Sequence, residues 1–156
     1  MDQFQKLREK MAASGFEPRQ ATWGQAIVLT GQRRTFKWRW VGTALWENAV
    51  AFKTKKLDVP ELTSFIEQAK HWAIANKRGW MRGMQSGQAI IVLVVADQIT
   101  EAARQLAAKS WEIEFARFTV VAVTDNRTAT IARGPKFVGA MFRPHLVKRL
   151  TALASA

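Results

Sequence analysis

The stretch Gln88–Asp97, QAIIVLVVAD, decides the fold that this sequence can adopt. Seven consecutive residues from Ile90 to Ala96 are apolar, and β-branched valine and isoleucine predominate among them. The run is too short to cross a bilayer, which takes about 20 apolar residues in a helix. A strand without polar alternation is typical of the centre of a parallel sheet that is covered on both faces.

Helical and strand patterns alternate on both sides of this stretch. Apolar residues recur at helical spacing in segments that predict helices over Asp2–Ala13, Glu61–Asn76, Thr100–Lys109 and Arg143–Leu153. Strand-forming residues predict further strands over Gly24–Thr30, Arg34–Val41, Leu45–Lys55, Phe115–Thr124 and Ala129–Ala132. Short turns at Gly31-Gln32 and Gly42-Thr43 would join the first of these strands into an antiparallel meander.

The order of these elements predicts an α/β fold with some α+β character. The central strand, the helix after it and the strand Phe115–Thr124 form a βαβ unit, whose strands run parallel through a right-handed crossover. The meander adds antiparallel strands to the same sheet. We therefore expect a single domain over residues 1–156, with a mixed central sheet and helices on both faces.

The charge of the chain is its strongest functional signal. Twenty-four Lys and Arg face twelve Asp and Glu, which gives a formal net charge of +12. A field of this sign attracts polyanions, nucleic acid first, and it also suits an acidic protein partner. Seven tryptophans accompany the charge, and bases stack on aromatic rings. The prediction of function therefore rests on charge and aromatic residues.

Composition disfavours several kinds of site and location. The chain has no cysteine, so disulfides and thiolate chemistry are absent and a reducing, cytoplasmic setting is expected. The first residues, MDQFQKLREKM, lack an apolar segment, so we expect no secretory signal, and no window is apolar enough for a membrane span. Neither a Cys/His metal cluster nor a cofactor motif is recognised, so no cofactor is expected.

Basic residues concentrate on two of the predicted meander strands. Aromatic and basic residues alternate over Arg34–Val41, so one face of that strand would be core and the other basic. The core face would carry Phe36, Trp38 and Trp40. Antiparallel neighbours would place the basic residues side by side, where a polyanion would neutralise their repulsion. This predicted basic strip consists of Arg33, Arg34, Lys37, Arg39, Lys53, Lys55 and Lys56. The alternative is a solvated polar face.

A glycine-punctuated loop over residues 77–87 precedes the central strand. The predicted phosphate-binding residues of this loop are Lys77, Arg78, Trp80 and Arg82. The loop is not a P-loop, because GxxxxGK[ST] is absent and the glycines precede a strand. Its backbone N–H groups could still hold a phosphate beside these cations. The alternative is a crossover loop that packs Trp80 into the core. A base-stacking role is predicted for Trp80 or Trp46.

One segment carries a resemblance to a known family. Over residues 50–73, VAFKTKKLDVPELTSFIEQAKHWA, a strand that ends in lysines precedes a helix that carries Gln68 and Ala69. In this segment, and in the order of elements over roughly Met1–Thr124, the chain resembles the restriction-endonuclease-like nucleases with their PD-(D/E)xK motif. The resemblance implies a helix, a β-meander, a second helix, a buried parallel strand, another helix and a further strand.

The motif of that family is degenerate in this sequence. Its acid–x–lysine positions would be Lys53-Thr54-Lys55, so Lys53 stands where the metal-binding acid is expected. The family's other acid would fall near Gly42–Leu45, where there is no Asp or Glu. Mg²⁺ needs oxygen ligands, and an added cation repels it. The resemblance therefore implies a nuclease-like domain without cleavage, with Glu47 as a lone carboxylate on the face of Lys53.

Few other residues suggest chemistry. Asp97 and Asp125 each follow a predicted parallel strand, which would place both at the carboxyl edge of the sheet, where α/β proteins often bind ligands. The alternative is turn chemistry, in which Asp97 starts the turn into a helix and Asp125 starts a hairpin. His71 and His145, the only histidines, are expected to be surface or packing residues.

Three functions follow, in order of preference. The first is nucleic-acid binding, to DNA or RNA, through phosphate contacts and without cleavage. The second is a structural or adaptor subunit whose basic, Trp-containing surface docks on an acidic protein. The third is a metal-dependent nuclease that uses Glu47, Asp97 or Asp125.

Overall fold

The structure, a computed structural model, describes residues 2–37, 40, 44–77, 86–114, 117–125, 127–134 and 141–155. The helices in these ranges are α1 (Gln3–Ala13), α2 (Val59–Ala75), α3 (Glu101–Lys109) and α4 (Arg143–Ala154). The strands are β1 (Arg19–Trp23), β2 (Ala26–Phe36), β3 (Ala44–Leu57), β4 (Ser86–Ile99), β5 (Trp111–Glu114), β6 (Arg117–Thr124) and β7 (Ala129–Ile131). None of the described helices is long and apolar enough to cross a membrane.

All the described strands belong to one mixed sheet. Their order is β1-β2-β3-β4-β6-β5, and β7 also pairs with β6. β1, β2 and β3 form an antiparallel meander, and β3, β4 and β6 run parallel. β5 and β7 pair antiparallel with opposite ends of β6. The predicted α/β class, the mixed sheet, the meander and the parallel βαβ unit are therefore confirmed.

β4 lies in the middle of the sheet, and its side chains belong to two separate cores. Ile91 and Leu93 pack with residues of α1 and α4 on one face. Ile90 and Val92 pack with residues of α2 and α3 on the other face. Full burial of a Leu, Ile or Val side chain contributes roughly 1.5–3 kcal/mol of hydrophobic stabilisation. The unbroken apolar run thus reflects burial on both faces, and helices cover both faces as predicted.

The second strand of the meander differs from the prediction. β2 runs without a break from Ala26 to Phe36. The turn predicted at Gly31-Gln32 is therefore wrong, and so is the division into strands over Gly24–Thr30 and Arg34–Val41. The additional strand β1, which was not predicted, pairs with the first part of β2. The number of meander strands is as expected, but their boundaries are shifted.

Two glycines explain this shift. Gly24 has a φ of +62° and lies in the turn between β1 and β2, where left-handed backbone favours glycine. Gly31 lies inside β2, where an added Cβ would come within 3.1 Å of atoms of both Met11 and Phe16. Gly31 therefore allows α1 and the segment after it to pack closely on the sheet. The sequence does not distinguish this role of Gly31 from a turn, because both need the absence of a side chain.

The predicted core face of Phe36, Trp38 and Trp40 is confirmed for Trp40 only. Trp40 is fully buried, and its Nε1–H donates to Met141 O at 3.1 Å. Phe36 is 44% exposed, because the alternation of β2 continues through Gly31 and directs Thr35 inward instead. Trp38 lies outside the described residues.

The ends of the other elements lie close to the predicted positions. Asp58 caps α2 as predicted, and its Oδ1 accepts the Glu61 backbone N–H at 3.0 Å. Thr100 caps α3 in the same way, through Ala103 N–H at 3.2 Å. The strand predicted from Phe115 begins at Arg117 in the structure, and the short strand β5 precedes it.

Candidate nucleic-acid interface

The register of β2 against β3 divides the predicted basic strip into two groups. Arg34 pairs with Trp46 near the start of β3, whereas Lys53 pairs with Ile27 near its end. Trp46 and Lys53 are therefore roughly 23 Å apart at 3.3 Å per residue. The expectation that the basic residues of the two strands lie side by side is wrong. We call the two positions the amino end and the carboxyl end of β3.

An open groove of about 500 Å³ lies at the amino end of β3. β1 stops pairing with β2 at Thr30, so no described strand lies beside the outer edge of β2 from Gly31 onward. The segment between α1 and β1 borders the groove on one side, and the C-terminal part of α2 borders it on another. Its lining includes Glu17, Arg19, Arg33, Arg34, Trp46 and Trp72.

The groove carries more positive than negative charge. Arg19, Arg33 and Arg34 line it together with the carboxylate of Glu17. Arg19 and Arg34 are exposed, and neither forms an ion pair with a described carboxylate. Arg33 is partly buried, and its Nη1–H donates to the backbone carbonyl of Ser14. Arg19 and Arg34 therefore provide the free cations, whereas Arg33 anchors the segment that follows α1.

Two tryptophans from different elements line the same groove. Trp46 is partly exposed and lies directly opposite Arg34 on the neighbouring strand. Trp72 belongs to α2, and the centroid of its ring is 6.4 Å from that of Trp23. Indole rings beside free guanidinium groups can stack on a base while a phosphate is bound. Sequence reasoning proposed Trp46 for stacking but missed Trp72, because helical periodicity alone does not show which residues border a groove.

Side-chain amides hold α2 against the groove. Gln32 Nε2–H donates to Asn48 Oδ1 at 2.8 Å and to Asn76 O at 2.7 Å. Asn48 Nδ2–H donates to Ala89 O at 3.2 Å. These bonds link β2, β3 and β4 to the end of α2, so the sides of the groove are held in a fixed arrangement. No local pattern in the sequence marks this network, because its members come from four different elements.

A second set of polar contacts continues across β4 and β6. Gln88 Nε2–H donates to Ala73 O at 3.1 Å, which satisfies a carbonyl near the C-terminus of α2. Arg117 donates from Nε to Gln88 Oε1 at 3.1 Å and from Nη1 to Glu114 Oε2 at 2.9 Å. Arg117 is thus engaged within the fold and is not a free cation.

The remaining predicted residues near this end are only partly described. Lys77 is exposed and follows Asn76, which lines the groove. The Nζ of Lys37 lies 5.6 Å from the centroid of the Trp40 ring. The other predicted residues, whose roles stay predictions because they lie outside the described ranges, are Arg39, Arg78, Trp80 and Arg82.

The carboxyl end of β3 has a larger groove, of about 1,120 Å³, but its charge is mixed. Lys53 and Lys55 line this groove. The carboxylates that line it are those of Asp58, Glu61 and Asp97. Lys53 also forms an ion pair with Asp2, whereas Lys55 and Lys56 are exposed. Positive charge is therefore offset locally, and this end is a weaker candidate for phosphate binding.

Asp97 and Asp125 do not form a metal site with other described residues. Asp97 is exposed and lies within β4, so its predicted place in a turn is wrong. Asp125 is engaged in a turn, as predicted, and its Oδ1 accepts the backbone N–H groups of Arg127 and Thr128, each at 2.7 Å. Burial raises the pKa of Asp125, but these bonds and the ion pair with Arg104 lower it overall. The described part of the chain has no group of three or more His, Asp and Glu that could hold a metal ion.

Glu47 is a buried charge near the amino end of β3. Its carboxylate accepts hydrogen bonds from Thr35 Oγ1 at 2.6 Å and from Arg149 Nε at 3.0 Å. His145 Nε2 lies 3.0 Å from the Glu47 Oε1 atom. Burial alone would raise the pKa of Glu47, but the bonds to His145, Arg149 and Thr35 lower it to about 2. Glu47 lies on β3, so its contacts with His145 and Arg149 join α4 to the sheet. Its side chain is fully buried and therefore does not face a ligand.

The other exposed cations are spread over the molecule. They include Lys6, Arg8, Lys109, Arg127, Arg133 and Lys148. The exposed cations of the described residues are therefore not gathered in one groove. What distinguishes the amino-end groove is the combination of free arginines with tryptophan rings, rather than the density of charge.

No protein-family model, curated protein or solved structure matches the chain. The resemblance to the PD-(D/E)xK nucleases therefore stays a hypothesis.

Proposed function

We propose that this protein binds nucleic acid without cleaving it, and that the amino-end groove is the binding surface. The proposal is carried by one observation: Arg19 and Arg34, which form no ion pair with a described carboxylate, share an open groove with the partly exposed Trp46. Guanidinium groups bind phosphate oxygens in two-pronged geometry, and indole rings stack on bases. The exposed Lys77 next to the groove adds a further phosphate contact.

The charge of the whole chain supports this proposal in a second way. A net charge of +12 produces a long-range field that attracts a polyanion before any contact forms. The cations on α1, α3 and α4 contribute to that field although they lie away from the groove. Steering by the whole surface and contact at one groove are thus separate roles for the same residue types.

The nuclease resemblance is consistent with binding in the absence of cleavage. The described order, an antiparallel meander followed by a parallel βαβ unit, is the order that the resemblance implies. The motif positions Lys53 and Lys55 supply no carboxylate, and Lys53 is paired with Asp2. These observations support the proposal that the chain is a nuclease-like domain without the metal-binding acids.

The proposal is tested by the dependence of affinity on salt. The binding constant for fluorescently labelled oligonucleotides is measured by anisotropy over a range of NaCl concentrations. Each neutralised phosphate contributes a slope of about −0.9 for duplex DNA and about −0.7 for single strands in a plot of log K against log salt. We expect a slope steeper than about −1.4, which corresponds to two or more phosphates. Absent or salt-independent binding to duplex DNA, single-stranded DNA and RNA would contradict the proposal.

A second candidate function is docking on an acidic protein. It is favoured by the outer edge of β2, which has no described strand beside it from Gly31 onward and lies next to Arg19 and Arg34. An extended acidic segment could pair with such an edge while its carboxylates contact the arginines. Affinity purification after nuclease treatment tests this function. Recovery of a stoichiometric acidic protein, together with no affinity for oligonucleotides, would favour it over the first.

A further inference from the structure

We infer that the nucleic acid bound at the amino-end groove is single-stranded, with an unpaired base against Trp46 and the adjoining phosphates on Arg19 and Arg34. The inference rests on the proposed function and specifies which form of nucleic acid the groove accepts. It is carried by the size of the groove, by the pairing of Trp46 with Arg34, and by amide groups at its border.

The size of the groove suits a nucleotide rather than a double helix. Its volume of about 500 Å³ falls within the range of roughly 300–1,000 Å³ that is usual for small-molecule sites. A duplex instead needs a broad surface with cations along both phosphate backbones. Here the second basic group of the meander, at the carboxyl end of β3, is mixed with carboxylates and does not extend the basic surface of the groove.

The positions of Trp46 and Arg34 match the neighbouring parts of one nucleotide. Residues directly opposite each other on antiparallel strands have Cβ atoms about 4.5–5.5 Å apart, and these two residues are such a pair. A base stacked on the indole therefore leaves its phosphate within reach of the guanidinium group. Stacking requires an open face of the base, which is covered by neighbouring pairs in a duplex and is accessible in a single strand.

Amide oxygens at the groove provide acceptors for the edge of an unpaired base. Gln32 and Asn76 donate hydrogen bonds through their side-chain amide N–H groups, and no described residue donates to their side-chain oxygens. Such oxygens can accept hydrogen bonds from the amino groups of adenine, cytosine or guanine. Those amino groups are engaged in base pairing within a duplex and free in a single strand. An acidic peptide would satisfy the arginines but would leave Trp46 without a planar ligand.

The test compares a single-stranded DNA, an RNA of the same sequence and the corresponding DNA duplex with the intact protein. All three carry the same label, and anisotropy is measured at one moderate salt concentration. We expect either single strand to bind at least tenfold more tightly than the duplex. Equal or tighter binding of the duplex would overturn the inference and leave the proposed function standing. If no oligonucleotide binds while polyglutamate does, both the inference and the proposed function are overturned.

Substitutions of Trp46 test the stacking contact itself. Trp46→Leu removes the ring, and we expect it to weaken single-strand binding roughly tenfold, whereas Trp46→Phe retains a ring and most of the affinity. The loss of affinity in Trp46→Leu should be smaller for the duplex than for the single strand, because paired bases offer no open face to the indole. Circular dichroism and thermal unfolding confirm that each variant is folded before binding is measured. Unchanged single-strand affinity in a folded Trp46→Leu protein would overturn the inference, and so would an equal loss for single strand and duplex.

Discussion

The two ends of β3 carry similar numbers of basic residues but differ in what surrounds them. At the amino end, Arg19 and Arg34 lie beside Trp46 in a groove whose described lining includes one carboxylate, that of Glu17. At the carboxyl end, Lys53 is paired with Asp2, and the groove there contains several acids. The larger groove is thus the less basic one. The comparison shows that basic residues close in sequence stay unpaired only where the register places no carboxylate beside them. The amino end is therefore the better candidate for a binding surface.

The same comparison bears on where ligands bind in α/β proteins. Ligands usually bind at the carboxyl ends of parallel strands, and this rule makes Asp97 and Asp125 candidates from the sequence. In this protein the free cations and tryptophans that form one groove lie at the opposite end, where β3, β4 and β6 begin. The amide network of Gln32 and Asn48 belongs to that end as well. The groups present at each edge, and not the direction of the parallel strands, therefore make the amino end the better candidate in this protein.

The largest expected effect is a loss in the free energy of unfolding when the buried ion pair of Glu47 at the amino end is broken. Glu47→Ala leaves Arg149 and His145 without their carboxylate, and removal of one partner of a buried pair costs roughly 3–5 kcal/mol. The matched variant at the carboxyl end is Lys53→Ala, which breaks an ion pair whose side chains are 38% and 54% exposed. That loss should be below about 1 kcal/mol. Urea unfolding measures both, and equal losses would contradict the contrast between the two ends.

The second prediction concerns acid stability and the same carboxylate. The folded-state pKa of Glu47, about 2, lies below its ordinary value of 4.5. The ionised Glu47 therefore stabilises the folded state fully above about pH 4.5, and this contribution is lost as the pH falls towards 2. The contribution to the free energy of unfolding is about 3 kcal/mol in total. Unfolding free energies measured between pH 6 and 2 should show this loss for the native chain. A Glu47→Gln variant should lack that part of the pH dependence, and an unchanged profile would contradict the assignment.

The third prediction compares the free cations of the two ends. Arg19→Ala with Arg34→Ala removes two phosphate contacts, so the salt slope for single strands should become shallower by about 1.4. The matched control, Lys55→Ala with Lys56→Ala, removes the same charge from the carboxyl end and should leave the slope nearly unchanged. Anisotropy titrations at several salt concentrations measure both double variants. If the lysine variant loses as much slope as the arginine variant, the binding surface is not confined to the amino end.

The smallest expected effect concerns the carboxylates of the carboxyl end. Asp97→Ala should change neither oligonucleotide affinity nor its response to Mg²⁺, because no group of acids in the described chain is arranged to hold a metal ion. Gel assays with Mg²⁺ should show intact oligonucleotides for both proteins. Mg²⁺-dependent cleavage that disappears in the Asp97→Ala variant would instead support the metal-dependent nuclease considered from the sequence.

The fold was largely predictable because its main signals are local. The apolar run of β4 and the helical periodicity of α2 depend on residues close in sequence, and both elements appear where they were expected. Gly31 was misread because a glycine that permits close packing looks the same in sequence as one that forms a turn. That single error shifted the register of the meander and hence the predicted neighbours of every basic residue on β2.

The site was less predictable because its contacts join distant parts of the chain. Glu47 and Arg149 are 102 residues apart, and no sequence pattern around either residue predicts their contact. Trp46 was singled out, whereas Arg19 was not, because β1 itself was not recognised. Residue types thus led to the proposed class of ligand, and only the three-dimensional register showed which of these residues share a groove.

The alternation of β4 between two cores has a consequence for sequence change in this protein. Odd-numbered positions such as Ile91 belong to one helical layer and even-numbered positions such as Val92 to the other. Insertion or deletion of one residue in β4 would exchange the two sets and mismatch both layers at once, whereas a two-residue change would preserve their parity. Divergent relatives should therefore keep the length of this strand, or alter it in steps of two, even where its individual side chains vary.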